Sequence, residues 1–343
     1  MKMNKTFIIA EAGLNHNGKI ELAYKLIEAA AAAGADAVKF QTFRAEELVA
    51  KSAQKANYQK QGGENESQLE MLKRLELSLE DFSKLKAHSE RHGIEFLTSP
   101  FDFASADAVE NWVRMYKIPS GEVTNLPFLK YVARKAKPII FSTGMSTLGE
   151  VEKAVQTILS NQPAVEGDFP ALTLLQCTTS YPCPTDEVNL KAMQTLAEAF
   201  KLPVGYSDHT MGIEVAIAAV ALGASVIEKH FTIDRSLPGP DHQASLEPDE
   251  LKELVIAIRR VETSLGDGIK RPAPSEVEIM PAVRKSLVTT TRLRAGTVLT
   301  EAMIAFKRPA TGISPEHVSK VIGMTLKKDK DADEVITWED LKK

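Results

Sequence analysis

Eight short apolar runs recur along the first 231 residues, and nearly every one ends in polar side chains able to do chemistry. They read FIIAEAG (7–13), AVKFQTF (37–43), FLTSPF (96–101), YKIPSGE (116–122), IIFSTG (139–144), LTLLQCTT (172–179), VGYSDH (204–209) and VIEKHF (226–231). Most are separated by helix-like stretches such as Ile20–Ala33, Gln68–His92 and Gly212–Leu222. Runs rich in Val, Ile and Phe that alternate with helices are the pattern of a parallel sheet buried on both faces. Eight such units predict an α/β fold, a (β/α)8 TIM barrel, whose active site lies where the C-terminal ends of the strands meet. Glu11, Lys39, Gln41, Ser99, Glu122, Asp208, His209, Glu228 and His230 would converge there, so the chain reads as an enzyme.

At 343 residues the chain exceeds the ~250 residues of a typical barrel, leaving room for a second unit. A net charge of −4 gives no reason to expect nucleic acid as a partner. Two cysteines, Cys177 and Cys183, flank one turn and form no disulfide framework, which fits a reducing compartment. The N-terminus has only a brief apolar run before Glu11, unlike a signal peptide, and no stretch reaches the ~20 apolar residues of a membrane helix. The expectation is a cytoplasmic protein.

The barrel is expected to span 1–265, closing with a helix opened by Pro248-Asp249-Glu250 and carrying Leu251, Leu254, Ile256, Ile258 and Val261 on a roughly helical face. Residues 266–283, with Pro272, Pro274 and Pro281, read as a linker. Residues 284–343 are β-branched and rich in turns, which predicts a small, mostly β domain of marginal independent stability. A polar excursion at 44–67 follows the second strand, where barrel loops commonly shape or cover a substrate site.

Two imidazoles at the ends of neighbouring strands, His209 and His230, can hold a divalent ion and leave positions open for water or substrate. Asp208 and Glu228 beside them could serve as ligand, outer support or base. Lys39 and Lys117, amid Ser99, Ser120, Ser142 and Thr143, suit a phosphate or carboxylate, with an ion pair to Glu11 or Glu122 as the alternative for either lysine. Glu11 could orient hydroxyls or abstract a proton. In the turn Asn15-His16-Asn17-Gly18, His16 reads as a turn stabiliser. Tyr181 and Asp241 lie on rim loops and could hydrogen-bond a polyol. Together these residues indicate a metal-assisted barrel enzyme acting on a polar, anionic small molecule, with the reaction class open.

The stretches IIAEAGLNHNG, AVKFQTF, FLTSPFD, KIPSGE, STGMSTLGE, GYSDHTMGIEVAIAAVALGA, VIEKHFT and GPDHQASLEPDEL resemble the sialic acid synthase family. KRPATGIS (307–314) resembles that family's C-terminal antifreeze-like, or SAF, domain. The resemblance spans nearly the whole chain, in order. It implies a barrel followed by a SAF domain, a domain-swapped homodimer, and condensation of phosphoenolpyruvate with an N-acylated mannosamine-type aldose. Phosphate leaves and a nine-carbon 2-keto acid forms. Carried over by motif, His209 and His230 would hold the metal, usually Mn2+, with Mg2+ or Co2+ as alternatives. Lys39, Ser99, Lys117, Ser120, Ser142 and Thr179 would grip phosphoenolpyruvate. Glu228, Glu11 and Lys117 would be catalytic, with water or proton handling given first to Glu228. Gln41, Tyr181 and Asp241 would contact the sugar, and Arg308 would reach it from the partner subunit. Thr179 stands where relatives often have asparagine, and Pro119 replaces a glycine seen in some.

N-acetylmannosamine, giving N-acetylneuraminate, is the leading substrate expectation. The alternative is a 2,4-diacetamido-2,4,6-trideoxymannose, giving N,N'-diacetyllegionaminate; a pseudaminate synthase ranks below both. A non-catalytic sugar- or ice-binding protein, and a pyruvate-using aldolase, stand outside that class.

Overall fold

The computed structural model describes residues 5–55 and 66–343. Residues 56–65 of the polar excursion therefore lie outside the described residues. The chain forms two compact units, Met1–Gly266 and Asp267–Lys343.

In the first unit the eight apolar runs become eight strands: β1 (Phe7–Gly13), β2 (Ala37–Thr42), β3 (Glu95–Pro100), β4 (Tyr116–Ile118), β5 (Ile139–Ser142), β6 (Leu172–Cys177), β7 (Val204–Asp208) and β8 (Val226–His230). All neighbours run parallel, in the order β3-β2-β1-β8-β7-β6-β5-β4, the cyclic order of a TIM barrel. Helices such as Ile20–Ala33 and Pro248–Leu265 cover the outside. Their buried faces, including Leu26, Ile27, Leu254 and Ile258, pack on outward strand residues such as Ile8, Val38, Phe96 and Tyr206.

Two local expectations are corrected. Gln68–His92 is two helices, Gln68–Leu75 and Leu79–Arg91. Ser78 starts the second with a capping box: its Oγ accepts from the Asp81 amide while the Asp81 carboxylate accepts from the Ser78 amide. The stretch read as a linker contains a helix, Pro274–Val283. Pro274 sits in its first turn, where a missing N–H costs nothing, and Glu276 accepts from the Ala273 amide.

The second unit pairs strands β9 (Ser286–Thr289) with β10 (Ile304–Lys307), and β11 (Thr325–Leu326) with β12 (Leu341–Lys342), both antiparallel. Leu287, Leu293, Leu299, Ile313, Val321, Leu326, Ile336 and Leu341 form its core. Beside that core Asp340, 1% exposed, lies 2.8 Å from Lys330 and 2.9 Å from Lys328, and accepts from the Thr337 amide. No helix among the described residues is long and apolar enough to cross a membrane.

Burial alone would raise the pKa of Asp340, but the two lysines and Thr337 outweigh it and hold the carboxyl well below the usual carboxylate range. A depressed folded-state pKa contributes stability above the unfolded value of about 3.9, and that contribution is lost as pH falls toward the folded value. Asp340→Asn should therefore destabilise this unit by about 3 kcal/mol at neutral pH, because Lys330 loses a buried partner. The deficit should shrink on acidification below about pH 4. Urea unfolding followed by Trp338 fluorescence in a Trp112→Phe background measures it.

Candidate active site

Side chains on a strand alternate faces, so residues two apart enter the barrel interior together. The lower interior layer is apolar: Ile9, Ala37, Leu97, Met115, Ile140, Leu175 and Val226. Two residues further along each strand come Glu11, Lys39, Ser99, Lys117, Ser142, Cys177 and Glu228, joined by Ser207. These line a cavity of about 370 Å³. The next layer and the rim loops add Gln41, Ser120, Thr179, Tyr181, His209, His230 and Asp241. The barrel residues to which the family resemblance gives a binding or catalytic role thus line one cavity, whereas Glu122, Thr143 and Asp208 do not.

The charged layer is tightly interlinked. Lys39 Nζ lies 2.8 Å from Glu11 and 3.8 Å from Glu228, and donates to Ser99 Oγ at 3.1 Å. Lys117 Nζ lies 3.2 Å from Glu228, which also accepts from Ser207. The ion-pair alternative for the lysines is therefore realised, with Glu11 and Glu228 as partners. Glu122 is not one; it accepts from Asn125 and lies off the cavity lining. Burial raises Glu11 to about 7, only partly offset by Lys39. Burial pushes Glu228 upward too, but Lys117 and Lys39 overcome it and hold it at about 2. Burial would lower Lys39, yet Glu11 and Glu228 raise it; for Lys117 burial, aided by the charge of Lys39, outweighs Glu228 and lowers it.

What points to an anionic ligand is a set of stranded hydroxyls. Ser142 Oγ and Thr179 Oγ1 are buried on the cavity with no hydrogen-bond partner. Buried polar atoms left this way mark a place where something else binds. Gly144 makes the cradle possible: its amide donates to Ser120 Oγ, and a Cβ there would sit 2.4 Å from Thr179 Oγ1 and 2.8 Å from Ser120 Oγ.

His209 and His230 lie with ring centroids 5.3 Å apart, and Tyr181 packs on both. His209 Nδ1 is 2.7 Å from the Thr178 carbonyl. A carbonyl only accepts, so Nδ1 carries a proton and Nε2 is the nitrogen left to face a ligand. His230 Nδ1 is buried without a hydrogen-bond partner, 3.9 Å from Asp241 Oδ2. Burial and His209 push the His230 pKa well down, leaving the ring neutral. For His209, burial is outweighed by Cys177, whose Sγ is 3.8 Å away, and the pKa rises. Burial raises Asp241 to about 6. The neutral His230 ring, His209 Nε2, which would give up any proton to a metal, and the carboxylate beside them fit a divalent ion.

Asp208 does not belong to this group. Alternation turns it to the outer face of β7, where it pairs with Lys229 at 2.8 Å, both side chains 0% exposed. His16 also stays off the cavity; its Nδ1 accepts from the Gly18 amide, the turn role expected of it. Among the described residues, the group of three potential metal ligands whose donor atoms already lie within 4.8 Å of one another is Glu28, His88 and His92, on the outside of the barrel; His209, His230 and Asp241 are spaced more widely. Arg308 is exposed and belongs to the second unit.

Several lining residues escaped the sequence reading. Cys177 and Ser207 follow from the alternation of β6 and β7. An apolar wall on the β1–β3 side, formed by Leu14, Leu48, Val49, Leu72 and Phe101, does not. Its side chains belong to a satellite core with Phe43, Ala45, Met71 and Leu75, which looks in sequence like ordinary helix packing. Gly18 holds that satellite close: its φ is +69°, and a Cβ would meet the Arg74 carbonyl at 2.3 Å.

The model of the NeuB family matches residues 26–270, and that of the SAF domain residues 284–342. The chain belongs to the NeuB family. It is 51% identical to the N,N'-diacetyllegionaminic acid synthase of Campylobacter jejuni, over 97% of this chain and 99% of that protein. Identity to the protein of the same name from Legionella pneumophila is 49%, over 97% and 94%. The crystal structure of the N-acetylneuraminic acid synthetase of Leptospira borgpetersenii superposes with a TM-score of 0.70 at 37% identity, covering 81% of this chain and 90% of that one. As a NeuB family member the chain is an enzyme, a phosphoenolpyruvate-dependent synthase of nonulosonic acids. The non-catalytic binding protein and the pyruvate aldolase are thereby set aside.

Gly144→Ala should spread the hydroxyl cradle by an ångström-scale displacement and lower kcat/KM for phosphoenolpyruvate by roughly 10²-fold. Phosphate-release kinetics, alongside an unchanged far-UV circular dichroism spectrum, check it.

Proposed function

We propose that the enzyme condenses phosphoenolpyruvate with a 2,4-diacetamido-2,4,6-trideoxymannose to form N,N'-diacetyllegionaminate. The leading expectation from sequence, N-acetylmannosamine, gives way to the alternative. Both relatives near 50% identity are legionaminic acid synthases, whereas the N-acetylneuraminic acid synthetase stands at 37%. The observation that carries the reading is the apolar wall of Leu14, Leu48, Val49, Leu72 and Phe101. The trideoxy sugar presents methyl groups at C6 and on its C4 acetamide. N-acetylmannosamine presents hydroxyls there, which lose water against such a wall without gaining a partner.

In the mechanism, Lys39, Lys117, Ser99, Ser120, Ser142 and Thr179 grip the phosphate and carboxylate of phosphoenolpyruvate. His209 and His230, with Asp241 beside them, would hold a divalent cation, which we take to be Mn2+. Bound there, it would polarise the sugar's aldehyde oxygen. Gln41, Tyr181 and Asp241 orient the sugar so that C3 of phosphoenolpyruvate attacks the aldehyde carbon, leaving C2 cationic. Glu228, held ionised, faces that positive charge. Water adds to C2, and Glu11, with a pKa near 7, takes its proton and passes it to the new hydroxyl oxygen. The C2–O bond to phosphate then breaks as the C2 hydroxyl gives its proton to the departing phosphate, whose charge Lys117 offsets, and the 2-keto acid remains. This reverses the first assignment of the carboxylates: Glu11 is the base and Glu228 the fixed charge. The homodimer belongs to the same proposal, with Arg308 supplied to the sugar by the partner subunit.

The parent enzyme should prefer the trideoxy sugar by roughly 10²-fold in kcat/KM, since an apolar site rejects an added hydroxyl only to about that extent. Val49→Thr and Leu48→Gln, at half-buried positions, should each move the ratio toward N-acetylmannosamine by about tenfold. Equal rates on both sugars in the parent would reject the substrate assignment.

Glu11 as base makes kcat/KM rise with pH through a limb centred near 7. Glu11→Gln should lower the rate and lose that limb, while Glu228→Gln lowers the rate and keeps it. Steady-state assays between about pH 6 and 8 separate the two.

A further inference from the structure

The Asp208–Lys229 pair takes no part in the cavity, yet both side chains are fully sealed from solvent. Lys229 Nζ sits 2.8 Å from Asp208 Oδ2 and also donates to the Thr210 carbonyl at 2.6 Å. Asp208 Oδ1 accepts from the Thr210 amide and from Thr210 Oγ1, each at 2.8 Å. Residues 208 and 210 are both tied to Lys229, and His209 is the residue between them. Lys229 in turn directly precedes His230, and Asp208 and Lys229 are ladder partners. A single ion pair therefore holds the backbone that carries both imidazoles, from the face opposite the cavity.

Stability does not explain the pair. Desolvating two charges roughly cancels their attraction, and apolar residues of similar volume commonly hold a core as well or better. The β7–β8 ladder and the packing of Tyr206 and Ile227 already join these strands. What the charges add is direction, because charge-assisted hydrogen bonds restrict the angle at which the backbone after Asp208 leaves the strand. That angle sets where His209 Nε2 sits relative to His230. The Thr178 carbonyl then fixes the His209 ring from the side.

We propose that the Asp208–Lys229 pair is a positioning clamp that presets His209 and His230 for the divalent cation. The proposal rests on the reading of those histidines as the cation's ligands. In a metal site, groups that orient the ligands matter for affinity nearly as much as the ligands themselves.

The test measures Mn2+ affinity of the full-length protein by electron paramagnetic resonance without substrates, and the visible absorption of bound Co2+ as a reporter of ligand geometry. Asp208→Asn and Lys229→Met should each lower the unfolding midpoint and weaken Mn2+ binding by at least about tenfold. The double variant Asp208→Leu/Lys229→Met should recover much of the stability lost in the single variants, since no buried charge is left unpaired, less what the Thr210 amide, hydroxyl and carbonyl lose with their partners. It should nevertheless keep the weakened Mn2+ affinity and an altered Co2+ spectrum. A stable double variant with parental affinity and spectrum would overturn the clamp, since a purely structural role predicts both recoveries. Should the single variants fail to fold, the double variant decides. His209→Ala should abolish Mn2+ binding; parental binding in that variant overturns the ligand assignment itself, separately from the clamp.

Discussion

Closing a parallel sheet into a barrel gives every strand one face that no solvent reaches, and side-chain alternation decides which residues occupy it. In this chain the lower interior layer is apolar, so the barrel is a packed core there. One layer up the interior turns ionic within a single step of two residues: Ile9 to Glu11, Ala37 to Lys39, Met115 to Lys117, Val226 to Glu228. The apolar floor keeps those charges dry, which strengthens each interaction among them.

Two lysines and two carboxylates in one layer compensate each other, and their differences follow from position. Glu228 lies within reach of both lysines and stays ionised; Glu11 touches only Lys39, and burial prevails. Two identical functional groups a few ångströms apart acquire opposite chemical tendencies in this way. On the outer face of β7 and β8 a second alternation operates, sending Asp208 and Lys229 away from the cavity while their chain neighbours His209 and His230 face into it.

Most of the cavity was legible before any coordinates because barrel chemistry clusters at strand ends, and polar residues interrupting Val/Ile-rich runs stand out. Lys39, Lys117, Glu11, Glu228, His209 and His230 were all found by that signal. Asp208 was misplaced because the reading treated the whole end of β7 as facing one way, although adjacent residues point oppositely. The supposed linker contains a helix because a proline in a first helical turn is tolerated, so proline count alone misled. The opposite pKa shifts of Glu11 and Glu228 depend on distances to Lys39 and Lys117, which no spacing along the chain encodes.

The sequence by itself determined the eightfold βα alternation, the family, and the residue types that meet at the strand ends, because each depends on local pattern. Tertiary structure decided what depends on neighbours distant in the chain. Leu14, Leu48, Val49, Leu72 and Phe101 come from four separate segments and form one apolar wall only when those segments pack together. Ser142 and Thr179 are unremarkable hydroxyls until burial strips them of water and leaves them without partners. Burial and distance, which set charge state and leave polar atoms unpartnered here, are properties of the folded chain alone.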